Sequence, residues 1–474
     1  MVIDMQYMNK LKLIIVVGFT FYLSGCTMLV PEYKRPLSPI PSEWNEGMSQ
    51  KPNIESSENN KVYVMPWKEI VLDEQLRHVV EIAFKQSRSL REAVASIESA
   101  KATYNMQRAS EFPMISAVLS GSKGNSLSSP STTQSYSATA RISSYELDLF
   151  GKAHSLSVTE YEKYLSSQES QHALRITLIS EIVTAWLTLA SDKNLLSLSR
   201  STEVSAKKTL ELMQRKVDLG ASSALDLYEA QTLYYQAQAD IAKYKTKVEQ
   251  DKNALNLLAG EVIDDKWLPE GLNANKKYLA EVPASMPSSI LLSRPDILAA
   301  EHDLKAANAN IGAARAAYFP SISITTDGGL ASTALSNLFS GGATSVWSFV
   351  PSIALPIFDL GVRKSNLDYA KAQRDYYIAA YELAIQTAFK EVADALARKQ
   401  TINDQLNAQN RLVKASKNSY LISDLRYKNG VDTYLNALLA QRTYYSTQQT
   451  LLSVQLEEMI NRIALYRALG GSEK

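Results

Sequence analysis

The residue with the most definite chemistry is Cys26, the only cysteine in the chain. It closes the quartet Leu23-Ser24-Gly25-Cys26, which matches the bacterial lipobox, where a small residue precedes a cysteine that is acylated before cleavage. Lys10 and Lys12 ahead of the apolar stretch from Leu13 to Tyr22 supply the remainder of an export signal. Several acyl chains on one residue hold a protein stably on a bilayer, whereas one chain binds only marginally. Thr27 stands where an inner-membrane retention signal places Asp, so outer-membrane lipid is the expected anchor site. The competing reading is an ordinary signal peptide with a cysteine beside it by chance. Either way, a lone cysteine excludes a disulfide within the chain.

Little else is arranged for covalent or metal chemistry. His78, His154, His172 and His302 are scattered, without the paired spacing of a zinc site. There is no Walker-type phosphate loop and no Gly-x-Ser-x-Gly elbow. Arg294-Pro295-Asp296 falls at a loop-to-helix junction, where proline in the first turn has a structural explanation. No catalytic residue, metal site, cofactor or enzyme activity is therefore expected. With 50 basic and 49 acidic residues, the chain lacks the concentrated positive charge that a nucleic-acid partner requires. Past the N-terminus no apolar run approaches the roughly 20 residues of a spanning helix.

The elements that must position these residues are written twice. Gly220-Ala-Ser-Ser-Ala-Leu225, running on to Ala230-Gln231 and Tyr234-Tyr235, returns 210 residues later as Gly430-Val-Asp-Thr-Tyr-Leu435, Ala440-Gln441 and Tyr444-Tyr445. Phe112-Pro113 returns as Phe319-Pro320 at an offset of 207. Glycine spacing repeats as well: 69 then 40 residues separate Gly151, Gly220 and Gly260, and again Gly361, Gly430 and Gly470. None of these intervals contains another glycine or a proline, so each predicts one continuous helix. A helix of that longer interval spans about 100 Å at 1.5 Å per residue. Leu178, Ile182, Ala185 and Leu189, and later Ile385, Ala388, Val392 and Ala395, step by threes and fours as coiled-coil seams do.

Each half also carries an insert of another kind, residues 112–150 and 319–358. Tyr136, Ala138, Ala140 and Ile142 alternate with Ser137, Thr139, Arg141 and Ser143. In the second insert Ile322 and Ile324, then Trp347, Phe349, Pro351, Ile353 and Leu355, show the same period of two. Each insert predicts two strands, broken by turns placed at Gly121 to Pro130 and at Gly328 to Gly342. Four strands cannot close a barrel, and open edges are not tolerated in lipid. A homotrimer with about twelve strands is the simplest closed solution. A periplasmic coiled-coil rod is the alternative that helix content alone leaves open.

In order over the whole chain, the motifs resemble the TolC-like outer-membrane efflux proteins, in the NodT-type lipoprotein branch that serves resistance-nodulation-division pumps. Beside the repeats these include Pro31-Glu-Tyr-Lys-Arg-Pro36, Ser144-Tyr-Glu-Leu-Asp-Leu-Phe-Gly151, Ala307-Asn-Ala-Asn-Ile-Gly312 and Leu465-Tyr-Arg-Ala-Leu-Gly-Gly471. The resemblance implies a mainly α, internally duplicated fold: a trimeric 12-strand outer-membrane β-barrel continuing into a periplasmic α-helical barrel. It implies the exit duct of a tripartite efflux system for small molecules, with a periplasmic adaptor and an inner-membrane pump as partners. Ducts for metal ions or secreted polypeptides are the alternatives within the family.

The expected division is a signal peptide at 1–25, an anchored extended segment at 26–74, a first repeat at 75–263, a linker at 264–294 and a second repeat at 295–474. The long helices are expected at 152–219 and 362–429, and the return helices at 221–259 and 431–469. By the resemblance, Gly220, Gly430 and Val431 mark the adaptor-contacting tips. Tyr427, Lys428, Asp432, Leu435, Arg442, Asp226 and Glu229 are the entrance candidates. Many lipoprotein members carry Asp immediately before the second Ala-Gln, where this chain has Leu439, so carboxylates at the entrance would come from the first half.

Overall fold

The computed structural model describes residues 29–41, 44, 65–126, 129–273, 275–282 and 286–471. Cys26 and the signal peptide lie outside the described residues. In chain order the elements are a helical turn α1 (Trp67–Ile70), helices α2 (Glu74–Gln86) and α3 (Arg88–Ala109), strands β1 (Ile115–Ser126) and β2 (Ser129–Leu147), and helices α4 (Lys152–Asp218) and α5 (Ala224–Ala259). The second half repeats the order with α6 (Pro295–Ala316), β3 (Ser321–Ser332), β4 (Thr344–Ala354), α7 (Val362–Lys428) and α8 (Tyr434–Ala468). Helices α4 and α7 are each 67 residues long. At 1.5 Å per residue that is about 100 Å, so packing along their length, not propensity alone, must hold them.

One compact unit gathers residues 96–168 and 299–381 with the N-terminal residues up to Leu37. Its sheet is antiparallel, in the order β1-β2-β3-β4. Alternation sorts the side chains. Ile115, Leu119, Trp347 and Ile353 share one face and are 66–80% exposed. The opposite face carries Ser116, Ser137, Arg141, Asp327 and Ser348. The turn positions expected from sequence need correction. Strand β1 runs through Gly121 and Gly124 to Ser126, and β3 runs through Gly328 and Gly329 to Ser332. Gly329 is needed for close pairing, not for a turn: a Cβ there would lie 2.1 Å from the Ala138 carbonyl oxygen.

A β-bulge that the alternation did not reveal interrupts β2. Ile142 faces Thr326 but Tyr145 faces Ile324, so two residues on β2 stand against Thr325 alone. Ser144 takes a φ of 48°, and its amide donates to the Thr325 hydroxyl at 3.1 Å. In the same unit residues 29–37 lie along α6 as a strap. Asn308 donates to the Pro31 carbonyl at 2.8 Å and Arg315 to that of Leu29 at 3.1 Å. The Glu301 carboxylate, buried and held below its ordinary range against its desolvation, accepts from Arg35 and from Tyr33 and pairs with Lys305.

The other unit comprises residues 38–95, 169–298 and 382–474. Leu178, Ile182 and Leu189 of α4 are buried while Ala185 of the same expected seam is half-buried, and Ile385, Ala388, Val392 and Ala395 of α7 are all buried. The repeat is visible at the ends of the return helices. Gly260 caps α5 with a φ of 81°, and a Cβ there would sit 2.2 Å from the Gln86 carbonyl oxygen at the α2–α3 junction. Gly470, its counterpart after α8, has a φ of 80° and lies against Arg294. That buried guanidinium bridges Asp296 at 2.7 Å and Glu391 at 3.1 Å and also donates to the Ala468 carbonyl, joining three helices. The role of Arg294 is structural.

Candidate functional site

The tips of the two helical hairpins lie in this second unit, where the sequence repeats most closely. Gly220 and Gly430 end the long helices with φ values of 68° and 71°. Their amides close the last turn onto the carbonyls of Val217 and Tyr427. Neither glycine has a neighbour that would meet an added Cβ, so the left-handed backbone alone demands them. After the turn, Ser223 starts α5 with a capping box: its hydroxyl accepts from the Asp226 amide, and Asp226 accepts from the Ser223 amide.

An apolar knot ties the tips together. Met213 of α4, Ala230 and Leu233 of α5, and Tyr434 and Leu438 of α8 form one buried cluster, with Tyr427 of α7 packed against it. The Tyr427 hydroxyl accepts from Lys216 at 2.9 Å, and the same ammonium lies 4.7 Å from the Tyr427 ring centre. Rings of Tyr427 and Tyr434 are 5.4 Å apart. Burial first, then the neighbouring Tyr427 and the Glu229 carboxylate, raise the Tyr434 phenol well above its ordinary value. Farther along, Arg442 of α8 donates to the Thr232 hydroxyl of α5.

The seven entrance candidates therefore divide. Tyr427 and Arg442 cross between the two hairpins, and the Glu229 charge acts on Tyr434. Asp226 is occupied by its own helix end: against its desolvation, hydrogen bonds from Ser222, Ser223 and the Ser223 amide, with the Lys216 charge, hold it below its ordinary value. Lys428 pairs with Asp424 one turn back at 2.6 Å, which raises its pKa. Asp432 accepts from Asn436, from the Thr433 amide and from Arg426, and these hold its carboxyl low. Leu435 and Val431 are exposed, 43% and 62%, beside Leu219 at 83% and Leu225 at 66%.

Sequence reasoning missed Lys216, Met213, Thr232 and Tyr434. For Thr232 a signal existed: it follows the first Ala-Gln as Arg442 follows the second, so repeat-equivalent positions meet each other. By the same offset of 210, Leu439 corresponds to Glu229, so the carboxylate at this level stands in the first repeat.

Comparison with known proteins agrees with this architecture. The family described as "Outer membrane efflux protein" matches residues 79–261 and 286–471. The chain is 42% identical over 455 residues to the solvent efflux pump outer membrane protein SrpC of Pseudomonas putida, covering 95% of this chain and 96% of that one. It is 40% identical over 457 residues to the antibiotic efflux pump outer membrane protein ArpC of Pseudomonas putida, covering 95% and 93% respectively. Among solved structures, the open state of the MtrE outer membrane channel of Neisseria gonorrhoeae matches with a TM-score of 0.83 at 36% identity, covering 94% of this chain and 98% of that one. The fold, the paired tips and these relatives together assign the chain to the outer membrane efflux protein family, as the outer-membrane exit duct of an efflux pump.

Proposed function

We propose that three copies of this chain close one duct, which passively conducts small organic molecules delivered by an inner-membrane pump of the resistance-nodulation-division class through a periplasmic adaptor, and that it performs no catalysis. The observation that carries this reading is the sheet. It has an exposed apolar face and two edge strands, β1 and β4, each paired on one side only among the described residues. Unpaired edges are not viable in lipid, so β4 of one copy must pair with β1 of the next. The names of SrpC and ArpC, for solvents and antibiotics, favour small and largely apolar cargo.

The exposed apolar residues at the tips, Leu219, Leu225 and Val431, suit a surface that an adaptor covers. Tyr427 with Lys216 and Arg442 with Thr232 act as latches that keep the hairpins in the resting arrangement. Each bond contributes about 1 kcal/mol net. About 1.4 kcal/mol moves an equilibrium ten-fold, so losing both latches in every protomer is sufficient to shift the resting state. Tyr427→Phe combined with Arg442→Ala is expected to raise single-channel conductance in planar bilayers several-fold. Conductance equal to the unaltered protein removes the latch role.

Acylation of Cys26 supplies the anchor in this reading. Only two residues separate Cys26 from Leu29, whose carbonyl accepts from Arg315 at the end of α6, just ahead of β3. Radiolabelled palmitate is expected to mark the unaltered protein and not Cys26→Ser; equal labelling of both excludes this site.

A further inference from the structure

The four strands contain only four charged side chains, Lys123, Arg141, Glu146 and Asp327. Arg141 lies directly opposite Asp327 across the β2–β3 ladder. Glu146 lies opposite Ser323, which shares the face of Asp327. Arg141 and Glu146 are five residues apart and would point to opposite faces in a regular strand. The bulge at Ser143-Ser144 brings them to the same one. Arg141, Asp327 and Glu146 thus avoid the face bearing Trp347, Ile353 and Ile115; Lys123, near the hairpin end of β1, is the one strand charge on that apolar face. A charge on a lipid-facing strand position costs about 2–4 kcal/mol at mid-membrane, so the charged face belongs to the lumen.

The three charges differ in how far they are neutralised. Glu146 pairs with Lys152 at 3.2 Å. Asp327 accepts from the Ser348 hydroxyl at 2.6 Å, a neutral partner that leaves its charge in place. The buried Nε of Arg141 has no hydrogen-bond partner, and neither Arg141 nor Asp327 makes an ion pair among the described residues. A cation and an anion therefore stand opposite each other at one level of the sheet, with no ion pair joining them among the described residues.

We infer that Arg141 and Asp327 form a mixed-charge belt around the lumen of the strand region and set the charge preference of what leaves the duct. Repeated by three copies, the belt alternates in sign, so it discriminates between small cations and anions less than a ring of one sign does. Rings of charged side chains are a general means of selecting ions in pores. The inference rests on the trimeric-duct reading above.

The test is the potassium-to-chloride permeability ratio of the purified full-length trimer in planar bilayers under a salt gradient. Low ionic strength keeps the belt from being screened, since the Debye length is about 30 Å at 0.01 M salt and about 8 Å at physiological strength. Arg141→Gln is expected to raise the ratio about two-fold, and Asp327→Asn to lower it by a similar factor, because each leaves the other charge alone. Arg141→Lys keeps the charge and should keep the unaltered ratio, which separates charge from packing. Conducting trimers whose ratio is the same in both neutralised variants overturn the belt alone. Failure of the unaltered protein to form conducting trimers overturns the duct reading and the belt with it.

Discussion

Asp251 of α5 shows how a single carboxyl can be set against its surroundings. Burial first, and then the Asp192 carboxylate beside it, raise its pKa from the ordinary 3.8 to about 6; Lys247 opposes the shift. Its buried Oδ2 has no donor among the described residues, so a proton held between the two acids is what satisfies it. The folded state thus binds this proton more tightly than the unfolded chain. Stability must then fall as pH rises from about 4 to about 6, and stay reduced above that. Asp251→Asn mimics the protonated form. Its melting temperature should exceed that of the unaltered protein at pH 7.5 and match it near pH 4. Parallel melting curves across this range would show that Asp251 is not the titrating group. No such pair could be foreseen from residues 59 positions apart, because their meeting depends on how α4 and α5 pack.

At the scale of elements, the return helices end against the junctions of the leading helices, and glycine makes each meeting possible. Gly260 combines a positive φ with the backbone of Gln86 and Ser87 in the space a side chain would fill. Gly260→Ala is therefore expected to destabilise the protein by at least about 1–3 kcal/mol through backbone strain alone, with the clash adding to it. Gly220→Ala, where the space is open, should cost only the strain. Equal losses of thermal stability in the two variants would contradict this difference.

These elements were legible to different degrees. Freedom from glycine and proline between Gly151 and Gly220 indicated a continuous helix, and the structure has one from Lys152 to Asp218. Turns were harder. Gly121 and Gly328-Gly329 looked like turn residues, yet they sit within strands: Gly329 lies against the β2 backbone and Gly121 against the Tyr136 ring, while Gly328 has open space around it. The bulge at Ser144 left no mark on the alternation, because serines flank it on both faces. At the tips, Tyr427 and Arg442 were legible through the family resemblance. Their partners Lys216 and Thr232 were not, because partners across a coil are fixed by helix rotation, which a seam of apolar residues constrains only loosely.

For the whole molecule, duplication is the organising fact. One half supplies a hairpin with a long helix and a return helix; the second supplies the same set, and contacts such as Thr232 with Arg442 join equivalent positions of the two. Among the described residues a single copy leaves two strand edges unpaired and an apolar face exposed, which is what the proposed trimer would cover. No phosphate-binding loop is present in the sequence, and in the duct reading the driving force comes from the pump. In the same reading the chain's contribution is a route that opens when its tips are engaged.

The central claim, that this chain is the exit of a pump assembly, is tested most directly by cross-linking in living cells, purification of the protein in detergent and identification of what accompanies it. The expected result is recovery of a periplasmic adaptor and an inner-membrane pump together with cross-linked trimers of this chain. Trimers recovered without either partner, under conditions that trap the trimer itself, would contradict the assignment and point to a channel that works alone.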